Sequence, residues 1–149
     1  MTVLKHKDFN KDFILHKNVQ IPKNLVSIFF DELSTIDKDL VDYYTKLTFD
    51  NSISFLLECE NEMIGYAKLV QSYNYFLLSE IFIVKEFREL GLGSFILSSI
   101  RKYIKDIEIP LRTVTLPSDR QAKNFYEANG ITDRALLTEE IREKSRIRS

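Results

Sequence analysis

The segment that most constrains the fold of this chain is the one that follows its most apolar strand. A strand is predicted over Tyr75–Val84, and its nearly continuous apolar end, Ile81–Val84, is typical of a strand buried on both faces. The sequence Arg88-Glu89-Leu90-Gly91-Leu92-Gly93 follows closely. A helix should begin near Gly91–Ser94, because apolar or aromatic residues then share one helical face: Ile96, Ile100, Tyr103, Ile104 and Ile107.

A strand that leads through an R-x-x-G-x-G segment into a helix is suited to holding an anion. The first N–H groups of a helix have no acceptors within the helix, and the helix dipole adds partial positive charge. The chain has only four glycines, and Gly91 and Gly93 stand where a phosphate would approach the backbone. Each N–H bond to a charged oxygen contributes about 1.5–3 kcal/mol, so several can hold a diphosphate without a lysine.

Two common phosphate-binding loops are excluded by single positions. A P-loop requires a Gly-Lys pair, which does not occur in this chain. A dinucleotide-binding loop requires a third glycine three residues after Gly93, where Ile96 stands. Taken alone, the remaining motif fits a tight turn before a helix as well as it fits a phosphate site.

The other elements are predicted from apolar periodicity and turn residues. Two helices are expected early, with Asn24 and Asp37 as their N-caps, after a polar segment that holds a short strand around Phe13–Leu15. Ser52–Glu60 and Met63–Tyr73 indicate a β-hairpin with Gly65 near its turn. Further elements are a short strand at Arg112–Leu116, a helix opened by Ser118 and ended by Gly130, and a last strand within Ile131–Ile141. Antiparallel strands followed by strand–helix units predict an α+β fold whose mixed, mostly antiparallel sheet carries helices on both faces.

Length and composition narrow the class of protein. The 149 residues suit one domain, and a net charge of -1 gives no reason to expect a nucleic-acid or membrane partner. Cys59 is the only cysteine, which excludes an internal disulfide and a Cys-based zinc cluster, and we expect no metal. The N-terminal residues lack the apolar stretch of a signal peptide, and no apolar run is long enough for a membrane span. A soluble, cytoplasmic protein is expected.

Two stretches together resemble a known family. Glu80–Leu97 is similar to the cofactor motif of the GNAT-type N-acetyltransferases, and Thr113–Ile131 resembles that family's next motif, N-x-x-A-x-x-F-Y-x-x-x-G-F. The two occur in the family's order and at its separation, and the resemblance extends from about Ser52 to Ile131. It implies a GNAT-like fold and an enzyme that transfers an acetyl group from acetyl-CoA, as co-substrate, to a primary amine by direct attack.

The resemblance also assigns cofactor-binding residues. The main chain of Ile81 and Ile83 would pair with the pantetheine arm, and an N–H near Ile83 would receive the acetyl carbonyl oxygen as it becomes negative. The diphosphate would lie over the loop and the first helical turn, and the second motif would complete the cofactor site. The implied set, besides those two isoleucines, is Arg88, Glu89, Leu90, Gly91, Leu92, Gly93, Ser94, Asp119 and Phe125.

Two residues are implied as catalytic. Tyr126, in the second motif, would be the general acid that protonates the departing thiolate, although a core tyrosine is the alternative interpretation. Glu80 would be the base that takes the proton of the amine, and an ordinary carboxylate at a strand end is an equally reasonable interpretation. The chain departs from the family at Glu89 and Leu90, where basic residues or glycine are common. It also departs at Ser118-Asp119, which replaces an asparagine that contacts the pantetheine arm.

The acceptor is the least constrained part of the prediction. Acidic residues within Asp31–Asp42 and Glu58–Glu62, with similarity around Glu80 to spermidine/spermine-type acetyltransferases, favour a small cationic amine. A protein or peptide amine, or a non-catalytic CoA-binding module on the same fold, are the alternatives. Acetylation of charged tRNA would require a basic face, and only the tail from Arg142 is basic. The family's frequent pairing makes a homodimer a further expectation.

Overall fold

The computed structural model describes residues 2–6, 10–46, 52–114 and 120–131, with only the backbone described for 2–6. Two strands, β1 (Thr2–His6) and β2 (Lys11–Lys17), precede the helices α1 (Lys23–Ile36) and α2 (Lys38–Lys46). Three strands follow, β3 (Ser52–Cys59), β4 (Glu62–Gln71) and β5 (Phe76–Ile83). A 3₁₀ turn (Lys85–Phe87), α3 (Leu92–Tyr103), β6 (Leu111–Thr113) and α4 (Arg120–Ala128) complete the described elements.

The six described strands form one sheet in chain order, β1-β2-β3-β4-β5-β6. The first five pair antiparallel with their neighbours, and β6 alone pairs parallel, with β5. The predicted mixed, mostly antiparallel sheet is therefore confirmed. The predicted strand around Phe13–Leu15 is part of β2, whereas β1 was not predicted. The start of the helix at Ser118 and the expected last strand within 131–141 lie largely outside the described residues.

The sheet separates two apolar cores, as expected for helices on both faces. One core joins α3 and α4 to sheet residues such as Phe55, Leu69 and Leu78. The other joins α1 and α2 to Leu56, Tyr66 and Phe82. Since side chains alternate along a strand, adjacent residues of β3 and β5 supply both cores.

A β-bulge in β5 decides which core each of its residues enters. Lys68 pairs with Glu80 but Leu69 pairs with Leu78, so Ser79 is an extra residue in the register, and its hydroxyl donates to the Lys68 carbonyl at 3.3 Å. Strict alternation would put Leu78 and Phe82 on the same face, yet they lie in opposite cores. The bulge thus turns Glu80 and Phe82 toward α1 and α2, and Ile81 and Ile83 toward the α3 side.

Local details of the hairpin and the helix caps differ from expectation. The turn between β3 and β4 is formed by Glu60 and Asn61, which both have positive φ, as a type I′ turn requires. Gly65 lies inside β4, where a Cβ would stand 2.7 Å from the carbonyl oxygen of Phe82. The first helix begins after Pro22, so Asn24 is not its N-cap. Asp37 does cap α2, accepting the N–H of Asp39 at 3.0 Å.

Candidate active site

One cavity of about 340 Å³ collects most of the residues that the motifs predicted. Its lining comes from α1, from the end of β5, from the loop after β5 and from the first turns of α3 and α4. Because α1 and α4 lie on opposite faces of the sheet, the cavity extends from one face to the other at the end of β5. The predicted cofactor-binding residues among its lining are Ile81, Ile83, Arg88, Glu89, Gly91, Leu92, Gly93, Ser94 and Phe125.

The cavity reaches an open side of β5. The parallel pairing with β6 ends at Leu78 and Thr113, directly before the bulge, within the described part of the chain. The N–H of Val84 donates to the carbonyl of Ile64 at 2.9 Å, so by the alternation of antiparallel pairs Ile81 and Ile83 direct their main-chain groups away from β4. These groups therefore face the side of β5 that β6 no longer covers.

The first turn of α3 presents N–H groups to the same cavity. The first intrahelical bond is from the N–H of Phe95 to the carbonyl of Gly91, at 3.0 Å. No described side chain caps this end of the helix, and the preceding N–H groups, those of Leu92, Gly93 and Ser94, have no acceptor within α3. A diphosphate fits this chemistry, because it can accept several N–H bonds and lies at the positive end of the helix dipole.

The two loop glycines are required for different reasons. Gly91 has φ 76°, a left-handed conformation that costs other residues about 1–2 kcal/mol, and the space around it is open. Gly93 lies against Phe125 of α4, and an added Cβ would stand 2.9 Å from a ring carbon. Gly93 thus sets the approach of α4 to α3, a role that the motif did not indicate.

Arg88 lines the cavity, but its guanidinium is already bound within the protein. Nε donates to the carbonyl oxygen of Ile83 at 2.9 Å. Nη1 and Nη2 donate to the two carboxylate oxygens of Glu32 on α1, at 2.5 and 2.6 Å. The guanidinium carbon also lies 5.6 Å from the centre of the Phe82 ring. Glu32 was not singled out from the sequence, since it is 56 positions from its partner.

Glu80 is the one buried charged side chain among the described residues, at 4% exposure. The hydroxyl of Tyr66 donates to its Oε2 at 2.9 Å, and Nζ of Lys68 lies 3.6 Å from the same oxygen. Burial, followed by the neighbouring carboxylate, raises the pKa of Tyr66 above its ordinary value, so this phenol stays protonated. Glu80 does not line the cavity, and it lies on the α1–α2 face beside Phe82.

Tyr126 is buried, at 7% exposure, in the core shared by α3, α4 and the sheet. Its ring centre is 5.4 Å from that of Phe125, and it is Phe125 that lines the cavity. Leu90 packs against the same core and is not part of the cavity lining, and Asp119 lies outside the described residues. Glu89 lines the cavity with an exposed side chain and a positive φ of 65°.

Part of the cavity wall was not predicted from sequence. α1 contributes four lining residues, Phe29, Glu32, Leu33 and Ile36, and α4 contributes Gln121 and Ala122 besides Phe125. The spacing of Leu25, Ile28, Phe29 and Leu33 predicted an apolar helical face, of which Ile28 is exposed and the other three are buried. Periodicity alone does not show what that face covers.

Other classes of site are not observed in the described residues. They contain no group of three or more His, Cys, Asp or Glu side chains placed to hold a metal ion. None of their helices combines the length and apolarity that crossing a bilayer demands. Burial raises the pKa of the Cys59 thiol, and the side chain is 2% exposed, which is unsuited to a nucleophile.

Comparison with protein families identifies the part of the chain that supplies most of the cavity lining, with the α1 residues outside it. Residues 50–130 match the family model described as an acetyltransferase (GNAT) domain. The match includes β5, the loop, α3 and α4, and so covers both stretches that resemble that family's motifs except the last residue, Ile131. No curated protein matches the chain.

Solved structures share the fold at low identity. The aminoglycoside N-acetyltransferase AAC(6')-Iy in complex with CoA is 16% identical, with a TM-score of 0.58 over 87% of this chain and 95% of its own. A GNAT family acetyltransferase from Elizabethkingia anophelis with acetyl-CoA bound is 20% identical, with a TM-score of 0.58 over 78% and 74%. An aminoglycoside acetyltransferase from an uncultured soil metagenomic sample, in complex with sisomicin, is 12% identical, with a TM-score of 0.61 over 85% and 93%.

Proposed function

This chain belongs to the GNAT family of acetyltransferases, and we propose that it moves the acetyl group of acetyl-CoA to the primary amine of a small cationic acceptor by direct attack. The observation that carries the proposal is that one cavity joins the open side of β5 to the uncapped first turn of α3. The pantetheine arm of CoA needs an open strand edge, and its diphosphate needs free helix N–H groups. CoA therefore needs these two features next to each other.

The backbone supplies most of the cofactor contacts in this proposal. The pantetheine amides pair with the main chain of Ile81 and Ile83 in the manner of an added strand. The diphosphate accepts the N–H groups of Leu92, Gly93 and Ser94, each contributing about 1.5–3 kcal/mol. Phe125, fixed against Gly93, limits the α4 side of the cavity.

The chemical step needs a stabilised oxyanion, a base and an acid. The amine nitrogen attacks the thioester carbonyl carbon, and the oxygen that gains negative charge accepts a main-chain N–H near Ile83. Because Glu80 does not line the cavity, it accepts the amine proton through a bridging water and not directly, using Oε1, to which no described residue donates. The C–S bond then breaks, and the Tyr126 hydroxyl protonates the leaving thiolate.

Charge and aromatic surface favour a cationic acceptor. Acidic residues outnumber basic ones along α1 and α2, and the exposed Asp31, Asp39 and Asp42 attract cations at long range although they do not line the cavity. The cavity itself carries Glu89 and phenylalanine rings, which attract ammonium groups, whereas Arg88 offsets the charge of Glu32. Two structural neighbours are aminoglycoside acetyltransferases, and aminoglycosides are polycationic amines.

The proposal is tested by thiol release from acetyl-CoA with a panel of acceptors: a linear polyamine, an aminoglycoside, a lysine-containing peptide and a neutral alcohol. Turnover with the polyamine or the aminoglycoside, and none with the alcohol, is expected. Preference for the peptide would show a protein or peptide acceptor. CoA uptake by calorimetry without turnover on any amine would show a non-catalytic module, and absence of uptake would remove the assignment of the site.

The two proposed catalytic side chains are tested by near-isosteric replacement. Tyr126→Phe and Glu80→Gln should each slow turnover about 100-fold or more, since positioned proton transfer contributes on that scale, while the Kd for CoA changes less than about threefold. Tyr73→Phe, at a fully exposed ring, is the matched control. Unchanged turnover in either variant would remove that residue from the mechanism.

A further inference from the structure

The side chain of Arg88 makes polar contacts with two segments that are distant from each other in the sequence. One side chain binds the carbonyl of Ile83 at the end of β5 and both carboxylate oxygens of Glu32 on α1. Both Arg88 and Glu32 line the cavity, and both are about one-quarter exposed. The guanidinium therefore spans the boundary between the cofactor loop and the helix on the other side of the cavity.

This geometry is unsuited to a phosphate ligand. The planar fork of an arginine binds one planar anion in a two-bond arrangement, and here Glu32 occupies it. The carboxylate also neutralises the charge that a diphosphate would seek. A diphosphate bound to the guanidinium would leave the Glu32 carboxylate without its arginine partner. Glu89, the other carboxylate among the described lining residues, would also repel the diphosphate.

We propose that Arg88 is a positioning residue, which fixes α1 and the Ile83 peptide relative to each other and so sets the acceptor side of the cavity. The carbonyl and N–H of Ile83 belong to one edge of β5, so the bond from Nε orients the strand end that receives the acyl group. The bonds to Glu32 hold the α1 wall, with Phe29 and Leu33, against that strand end. The inference rests on the proposed function insofar as it treats the cavity as the site that binds CoA and the acceptor. The contact between Arg88 and Glu32 does not depend on that function.

The variants that test this role are Glu32→Gln and Arg88→Lys, with Glu86→Gln as control. Glutamine keeps the shape of Glu32 but removes its charge and one acceptor oxygen. Lysine keeps the charge of Arg88 but cannot bond to Ile83 and to both oxygens of Glu32 at once. Glu86 is exposed in the adjacent turn and does not line the cavity.

A positioning role and a phosphate-binding role give opposite results. With positioning, Glu32→Gln and Arg88→Lys both raise the acceptor KM, or lower kcat, about tenfold, while the Kd for CoA from calorimetry changes less than about threefold. With phosphate binding, Glu32→Gln releases the arginine and tightens CoA binding, and Arg88→Lys retains activity. That second pattern, or no change in either variant, would overturn the proposal.

A readout independent of activity separates this inference from the proposed function. Amide hydrogen exchange of α1, residues 26–36, should be at least several-fold faster in Glu32→Gln and Arg88→Lys than in Glu86→Gln. Unchanged exchange would overturn the link even in a protein that binds CoA. Failure of the wild-type protein to bind CoA would instead remove the proposed function and leave the exchange result to decide the link.

Discussion

Glu89 is unfavourable at its position for two reasons. Its φ of 65° is strained for a residue with a Cβ, and its carboxylate lines the cavity beside the proposed diphosphate site. We expect Glu89→Gln to tighten CoA binding about two- to fivefold, the scale of an exposed charge interaction, and this gain should fade at high salt. Glu89→Gly should add up to about 1 kcal/mol to the free energy of unfolding, because it also relieves the backbone.

Calorimetry at two salt concentrations and urea unfolding measure these two effects separately. Glu86→Gln changes the net charge equally at an exposed site outside the cavity, and should leave the Kd for CoA unchanged. A looser complex in Glu89→Gln would mean that Glu89 contributes to binding and that its charge does not face the diphosphate.

Tyr66 makes the free energy of unfolding depend on pH in the alkaline range. Its phenol pKa is raised above the ordinary value of 10.0, first by burial and then by Glu80, so the folded state keeps a proton that the unfolded chain loses above about pH 10. The stability that this proton supplies is therefore present below pH 10 and is lost as pH rises further, by at most about 1.4 kcal/mol per pH unit.

Tyr66→Phe isolates this contribution. Near neutral pH the variant should lose about 1–3 kcal/mol, because the buried Glu80 loses its hydroxyl donor. Above about pH 10 the difference from the wild-type protein should shrink. Urea midpoints across pH 7–11.5 measure it, with Tyr73→Phe as the exposed control. A difference that stays constant across that range would contradict the coupling.

The backbone of the loop was predictable from the sequence, whereas the partners of its arginine were not. The R-x-x-G-x-G pattern predicted the loop, and Gly91 has the left-handed backbone that only glycine adopts without strain. The pattern placed Arg88 over the diphosphate, whereas its partners are Glu32 and Ile83. A motif records residue types at short spacing, and it holds no information about a carboxylate on a helix 56 positions away.

At the scale of elements, the contact between α3 and α4 depends on the absence of one methyl group. Gly93→Ala should cost about 1–3 kcal/mol, since its Cβ would meet the Phe125 ring at 2.9 Å. Phe125→Leu in the same chain should recover part of that cost. A double-mutant cycle of urea unfolding measures the coupling. Additive losses would mean that the ring moves aside freely and that the glycine does not set the helix separation.

Sequence reasoning predicted the strand β5 but not which core each of its residues enters. The apolar run predicted burial on both faces, and Phe82 is buried whereas Ile81 and Ile83 are partly buried beside the cavity. Strict alternation would have placed Glu80 and Phe82 with Leu78 in the α3–α4 core. The bulge at Ser79 reverses that assignment, and one serine in a strand is not a recognisable bulge signal. The open side of β5 begins at this same point, so the feature that shapes the site was the one least visible in the sequence.

At the scale of the whole molecule, the sheet keeps two cores apart and the cavity touches helices from both. Apart from β1, the order of the described elements and the helices on both faces were predicted, because apolar periodicity and turn residues report local structure. Which helix lines the cavity beside which strand end depends on packing between distant segments. Accordingly, Phe29, Glu32 and Leu33 were predicted as parts of an early helix but not as a wall of the cavity, whereas the loop was predicted as a site.

This arrangement predicts that CoA stabilises both cores together. CoA at 100 times its Kd should raise the free energy of unfolding by about 2.7 kcal/mol, and amides of α1 and α4 should gain protection from exchange equally if the chain unfolds as one unit. Pantetheine, which lacks the diphosphate, should protect less at the same concentration. Protection confined to α3 and α4 would mean that the sheet does not couple its two faces, since α1 would then open without releasing the ligand.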